Sequence, residues 1–217
     1  MQRIVHVSGY SLAEYPELTG VSYKDGTPGN GRFHDWDYVC WGEPARGAMG
    51  RIPMAIWYAR CIARADQIIW STGCTKTASG KWESEYMFEL AHDSFDRLMQ
   101  DFGGNFEVFR KQFGNEKTYR RWLESRSTFD HQSETTASSM VWLRKHCETY
   151  FAGDRMIVSL ISSANHAPRV LRDALTSFSS RSMSDYNRTR IVLSAVPAET
   201  SYGERGPEDT KVFDLGT

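Results

Sequence analysis

The chain has 217 residues, 40% hydrophobic and 24% charged, an ordinary composition for a folded protein and too apolar for a disordered one. That length suits one domain burying about 70% of its unfolded surface without a disulfide or metal staple. Its 26 Lys and Arg nearly cancel 27 Asp and Glu, and a net charge of −1 excludes a whole-molecule field for nucleic acid or an anionic membrane, so any basic site has to be local.

Residues 4–8 form a short apolar run ending in Ser8-Gly9, which predicts a first strand. Residues 10–49 follow as a long connection rich in Gly, Pro, Tyr and Trp, read either as a functional loop or as peripheral padding. Ile52, Ala55, Ile56, Ala59, Ile62 and Ala63 then fall at helical spacing, with Pro53 tolerated in the first turn. A second strand over 67–70 runs into Ser71-Thr72-Gly73. Met87, Phe88, Ala91, Phe95 and Leu98 line one face of a helix over 82–98.

The segment 99–129 interleaves Phe102, Phe106, Phe109, Phe113, Tyr119 and Trp122 with Lys and Arg. It reads as an inserted helical hairpin that would cap a crevice, pad the periphery or form a homodimer contact. The next helix, over 133–151, presents Ala137, Met140, Val141, Cys147 and Phe151, with Arg144 at the stripe's edge. A third strand over 156–161 ends in Ser162-Ser163, and behind it Pro168 opens a helix carrying Val170, Leu171, Ala174, Leu175 and Phe178. A fourth strand over 190–196 stops at Pro197.

Strands alternating with helices predict an α/β domain with a mainly parallel sheet covered on both faces, spanning 1–217 with the irregular loop 10–49 and the insertion 99–129. The most apolar stretch, 156–161, is far short of the roughly 20 residues of a spanning helix, and residues 1–9 lack a signal-peptide pattern, so a cytoplasmic protein is expected. The spacing of Cys40, Cys61, Cys74 and Cys147 fits neither a redox pair nor a zinc knuckle, and free thiols are expected.

In parallel sheets, ligands sit outside the carboxyl ends of the strands, which directs attention to three polar turns. Ser162-Ser163-Ala164-Asn165-His166-Ala167-Pro168-Arg169 follows a strand and opens a helix. The free N–H groups there, with the fork of Arg169, suit a phosphate or carboxylate, and His166 would stand beside it as acid, base or donor. The bland alternative makes Asn165 a helix cap and His166 a surface residue. Ser71-Thr72-Gly73-Cys74-Thr75-Lys76 offers hydroxyls, a glycine and a lysine at a second turn, though it is no Walker loop, and no G-x-G-x-x-G follows the first strand. Asp130 with Ser133 and Thr136 would either cap a helix or hold a ribose-like diol. Glu85, in the first turn of its helix, is a dipole-favoured acid or a general base. No H-E-x-x-H or nucleophile elbow occurs, and no metal is implied.

Taken together, Ser8-Gly9, Arg51-Ile52, the turn at Ser71-Thr72-Gly73, Ser84-Glu85 with Met87, Asp130 with Ser133-x-x-Thr136, and His166-x-Pro168-Arg169 stand in the order found in the YdcF/SanA/ElyC-like family of domains of unknown function, which the chain resembles over residues 1–9 and 50–196. The resemblance implies a Rossmann-like three-layer α/β fold with a crevice lined by Gly9, Arg51, Gly73, Glu85, Asp130, Ser133, Thr136, His166 and Arg169. It also brings in S-adenosylmethionine, which one member is described as binding, and a link to envelope physiology. Ser139 departs from the asparagine usual in the family, and no membrane anchor is evident.

The expected function is a soluble enzyme taking a nucleotide-like or phosphorylated anionic metabolite, S-adenosylmethionine among the candidates, and carrying out a transfer or hydrolysis. Glu85 and His166 would exchange protons. Ser8, Gly9, Arg51, Ser71, Thr72, Gly73, Lys76, Asp130, Ser133, Thr136, Ser163, Asn165 and Arg169 would bind the ligand. The alternative is a non-catalytic binding or regulatory module using the same crevice, with an envelope-related role behind it.

Overall fold

The computed structural model describes residues 1–8, 41–44, 48–71, 73–74, 76, 80–102, 107, 110–163, 166–179 and 191–198. Strands β1 (Gln2–Ser8), β4 (Gln67–Ser71), β5 (Ser127–Asp130), β6 (Met156–Ser163) and β7 (Ile191–Ala198) form one sheet in the order β5-β4-β1-β6-β7. Every pairing is parallel. Two short strands, β2 (Gly42–Glu43) and β3 (Ala48–Met49), pair antiparallel apart from it.

Both faces of the sheet are covered, which is why β1, β4 and β6 read as nearly unbroken apolar runs. Val5, Val7, Ile68, Trp70 and Ile161 point to one face. They pack under α1 (Arg51–Trp57), α2 (Glu83–Asp93), α3 (Phe95–Asp101) and α4 (Glu116–Arg126). Ile4, Ile69, Val158 and Leu160 point to the other, under α5 (Thr136–Tyr150) and α6 (Ala167–Phe178). The result is the α/β, Rossmann-like three-layer sandwich that the alternation of elements calls for.

Several boundaries differ from the sequence reading. α1 continues as a π-helical turn, Tyr58–Ile62, and the extra residue in that turn swings Ile62 out of the predicted stripe to 55% exposure. The helix expected over 82–98 is two helices divided at Ser94, which caps α3 without a side-chain bond. α5 starts at Thr136 rather than at 133, because Thr135 and Ser138 form a reciprocal capping box. Leu175 turns outward from α6, at 51% exposure. Pro197 lies within β7, a tolerated place since β7 is an edge strand.

The segment 99–129 is not all helix, since its last residues are β5. Of its aromatics, Phe102, Phe113, Tyr119 and Trp122 are buried in this chain's own core, and Arg60 of the π-turn lies over the Phe113 ring at 4.6 Å. Tyr119 also donates its hydroxyl to the Ala91 carbonyl. Phe106 and Phe109 fall outside the described residues, as does most of 10–49. Trp41 of that loop belongs to the core and donates its indole N–H to Asp101 at 2.7 Å. Cys61, Cys74 and Cys147 are free thiols, and no described helix is long and apolar enough to cross a membrane.

Candidate functional site

The chain leaves β1 toward β4 and β5 on one side, then returns to β6 and β7 on the other. The gap between the carboxyl ends of β1 and β6 is therefore the topological switch point, from which the two neighbouring connections leave in opposite directions. Arg51, at the start of α1, spans it. Its guanidinium donates to the Ser8 carbonyl and to Ser163 Oγ, each at 3.0 Å, and the residue is fully buried. Arg51 thus ties the ends of β1 and β6 together and sets a permanent positive charge at the switch point.

A buried polar chain crosses the sheet face under α5. The register aligns Ser8 with Ser71 and Ser71 with Asp130, so all three project to the same side. Ser71 Oγ donates to Asp130 Oδ2 at 2.9 Å and meets Ser139 Oγ at 2.5 Å, and Ser139 Oγ lies 3.3 Å from His6 Nε2. Proton counting gives this chain a direction. The Ser71 proton goes to the carboxylate, so Ser139 donates to Ser71, and His6 carries its proton on Nε2 and donates to Ser139. Burial holds the His6 pKa down at about 4, against the opposing pull of the Asp130 charge and of the backbone. His6 is accordingly neutral at physiological pH.

Asp130 is saturated. Its Oδ2 also accepts from Ser133 Oγ, while Oδ1 accepts the backbone N–H groups of Gln132 and Ser133 at 3.0 and 3.1 Å. Four donors fill the four lone-pair positions of a carboxylate, which leaves none for a ligand diol. Asp130 fixes the β5–α5 turn instead, and Thr135 rather than Asp130 caps the helix. The Ser133 carbonyl in turn receives the Cys74 N–H at 2.7 Å, so the turn after β4 is stitched to the turn after β5. Gly73 makes that contact feasible, with φ of +68° and no space for a Cβ beside the Ser133 carbonyl. The sequence reading made Ser71-Thr72-Gly73 a strand-to-helix turn, but the first helix among the described residues after β4 is α2, which begins at Glu83 with acids in its first turn.

His166 is the N-cap of α6 and makes no side-chain capping bond, so Asn165 is not the cap. Its Nε2 lies 3.3 Å from Thr136 Oγ1, which joins the amino ends of α5 and α6 above the sheet. Burial, then the charges of Arg51 and Arg169, lower its pKa, with only Asp173 opposing. Arg169 is largely exposed and lies 3.8 Å from Asp173. Ser8, Arg51, Thr136, Ser163, His166 and Arg169 therefore converge around the switch point.

Glu85 and Lys76 belong to a different group. Glu85 Oε1 lies 3.4 Å from His131 Nε2, and the His131 ring stacks on Trp82 at 4.9 Å and Phe129 at 5.8 Å. The Lys76 ammonium lies 4.2 Å from the Trp82 ring centroid. No described hydrogen bond or ion pair joins Glu85 to His166. Gly9, Thr72 and Asn165 lie outside the described residues. Comparison of the chain with protein-family models, curated proteins and solved structures finds no match. Among the described residues no three His, Cys, Asp or Glu side chains gather as metal ligands.

Sequence reasoning placed no role on His6, Trp82 or His131, and met Ser139 only as a departure from the asparagine usual in the resembled family. A histidine in an apolar strand and a serine in a helix carry no local sign of meeting 133 positions apart. His131 had one available signal, its place immediately after the carboxyl end of a strand, which was hidden because β5 itself was not foreseen.

Proposed function

We propose that this chain binds a nucleotide-like or phosphorylated anionic metabolite in the crevice between the carboxyl ends of β1 and β6, and that His166 exchanges a proton with it during a transfer or hydrolysis. The observation carrying this reading is the convergence of Arg51, Arg169 and the amino end of α6, whose N-cap side chain makes no capping bond, at the topological switch point. The exposed Arg169 fork supplies direct, charge-assisted contact to an anion, while buried Arg51 contributes field. A neutral His166 enters as the proton acceptor. The resemblance to YdcF/SanA/ElyC-like domains supports the same crevice and makes S-adenosylmethionine one ligand to try.

A thermal-shift screen against nucleotides, S-adenosylmethionine with its breakdown products, and phosphorylated metabolites tests the reading. A ligand at a hundred times its Kd adds about 2.7 kcal/mol, roughly 5–10 °C for a chain of this size. The expected result is a shift from one anionic class that disappears in Arg169→Ala. No shift from any anion overturns it.

The pairing of Glu85 with His131, away from His166, favours a second reading in which the crevice binds its ligand without turning it over. His166→Gln separates the two: an enzyme loses turnover and keeps its ligand, whereas a binding module has no turnover to lose.

A further inference from the structure

The aromatic stack at the free end of the crevice has no part in the anion site, yet it is built more firmly than a surface contact requires. Trp82 lies immediately before α2, fixed in extended backbone as its N-cap. Its indole is nearly coplanar in orientation with the His131 imidazole, 10° apart at 4.9 Å, and His131 is backed in turn by Phe129 at 20° and 5.8 Å. Phe129 meets Phe88 edge-on at 5.4 Å, which anchors the stack in the core beside Trp70. Glu85 Oε1 lies 3.4 Å from the imidazole Nε2. The indole is thus backed by rings, and Lys76 is held beside it by an antiparallel backbone bridge to Trp82, with its exposed ammonium 4.2 Å from the ring centroid. A flexible cation on a rigid indole is cheap to displace, because the ammonium regains its hydration when it leaves.

The position matters as much as the chemistry. His131 follows the last residue of β5, and His166 follows β6, with β4 and β1 between them. Three steps at the spacing of paired strands set the ends of β5 and β6, which carry the two groups, about 15 Å apart along the carboxyl edge. That separation matches a ligand with a flat group at one end and a charged group at the other.

We propose that Trp82, backed by His131, is the seat of a planar heteroaromatic base, so that the crevice takes a nucleoside diphosphate-like ligand with its base stacked on the indole in place of the Lys76 ammonium and its phosphates at the amino end of α6. The proposal rests on the anion-site reading above and narrows it from phosphorylated metabolites at large to those carrying a base. Stacking of this kind tolerates base identity, because every base offers a π face.

The test compares ADP, GDP, CDP and UDP with inorganic pyrophosphate, by isothermal titration of the full chain and of Trp82→Ala, Trp82→Phe and Arg169→Ala. Loss of a stacked base weakens binding about 5- to 150-fold. The expected result is that at least one nucleoside diphosphate binds more tightly than pyrophosphate by that factor, that Trp82→Ala brings it down to the pyrophosphate level without changing pyrophosphate affinity, and that Trp82→Phe keeps most of the gain. Equal affinity for pyrophosphate and all four nucleotides, with both lost in Arg169→Ala, overturns the base seat and leaves the anion site standing. A Trp82→Ala variant that loses pyrophosphate as well has been damaged generally, and normal nucleotide discrimination surviving in Trp82→Phe together with unchanged melting then decides for the seat, its absence against it. No binding of any of the five overturns both readings.

Discussion

Gly73 and His6 show how single positions hold the carboxyl edge in shape. At Gly73 a Cβ would come within 1.7 Å of the Ser133 carbonyl oxygen, and the left-handed backbone adds its own cost for any other residue. Gly73→Ala is therefore expected to destabilise the fold by at least about 2 kcal/mol, measured by urea unfolding. His6 gives the fold a pH dependence. Its pKa is about 4 when folded against an ordinary value of 6.5, so the unfolded chain binds the proton first. The stability it contributes is complete above about pH 6.5 and is lost as pH falls through 4, amounting to about 2 kcal/mol by pH 5. His146 and His166, both lowered chiefly by burial, add in the same direction. Urea midpoints at pH 7.5 and 5 are expected to differ less in His6→Gln than in the parent chain, and an equal difference in both would remove His6 from that role. Gly73 stood out in the sequence because a glycine after a strand asks for a turn. The saturation of Asp130 did not, since it depends on two backbone N–H groups and on Ser71, 59 positions away.

Among the elements, the join between α1 and β4 concentrates the unusual backbone. The π-turn Tyr58–Ile62 is followed by Arg64, whose φ of +51° is the one left-handed angle at a non-glycine among the described residues. Arg64 is exposed, so removing its side chain costs no packing. Arg64→Gly is expected to stabilise the chain by roughly 0.5–1 kcal/mol, the relief of the left-handed conformation partly offset by the freedom glycine gains when unfolded. A drop in melting temperature would show that the Arg64 side chain has a role of its own. The long strands and the amphipathic helices were legible because β1 and β6 are apolar on both faces, and because Ile52, Ala55 and Ile56 repeat at helical spacing. β5 was not legible. It has four residues, Ser-Thr-Phe-Asp, follows α4 without a loop, occupies a sheet edge and buries only Asp130 completely. Its pairing with β4 comes from tertiary context, through bonds such as Gln67 Nε2 to Thr128 Oγ1 at 2.7 Å and Trp70 Nε1 to Ser127 Oγ at 2.9 Å.

Across the whole molecule, the strand order that puts β1 in the centre also divides the site residues. Ser8, Arg51, Ser163, His166 and Arg169 collect where β1 and β6 part. Glu85, Lys76, Trp82 and His131 collect at the β5 end. Among the described residues of a near-neutral chain, Arg51 and Arg169 thus bring two positive charges to one point of the carboxyl edge, which is the local charge the proposed anion site needs. The sequence allowed Ser163, His166 and Arg169 to be grouped because they share one turn, but Glu85 could be joined to His166 only by supposing that two strand ends were neighbours, and β4 and β1 intervene. The decisive measurement is a titration of the isotopically labelled full chain with pyrophosphate, followed by backbone amide NMR shifts. Saturable changes clustered on Ser8, Ser163, His166, Ala167 and Arg169, and abolished in Arg169→Ala, are expected if the switch point holds the anion. Changes confined to other surfaces, or an Arg169→Ala variant that titrates like the parent, would place the anion elsewhere.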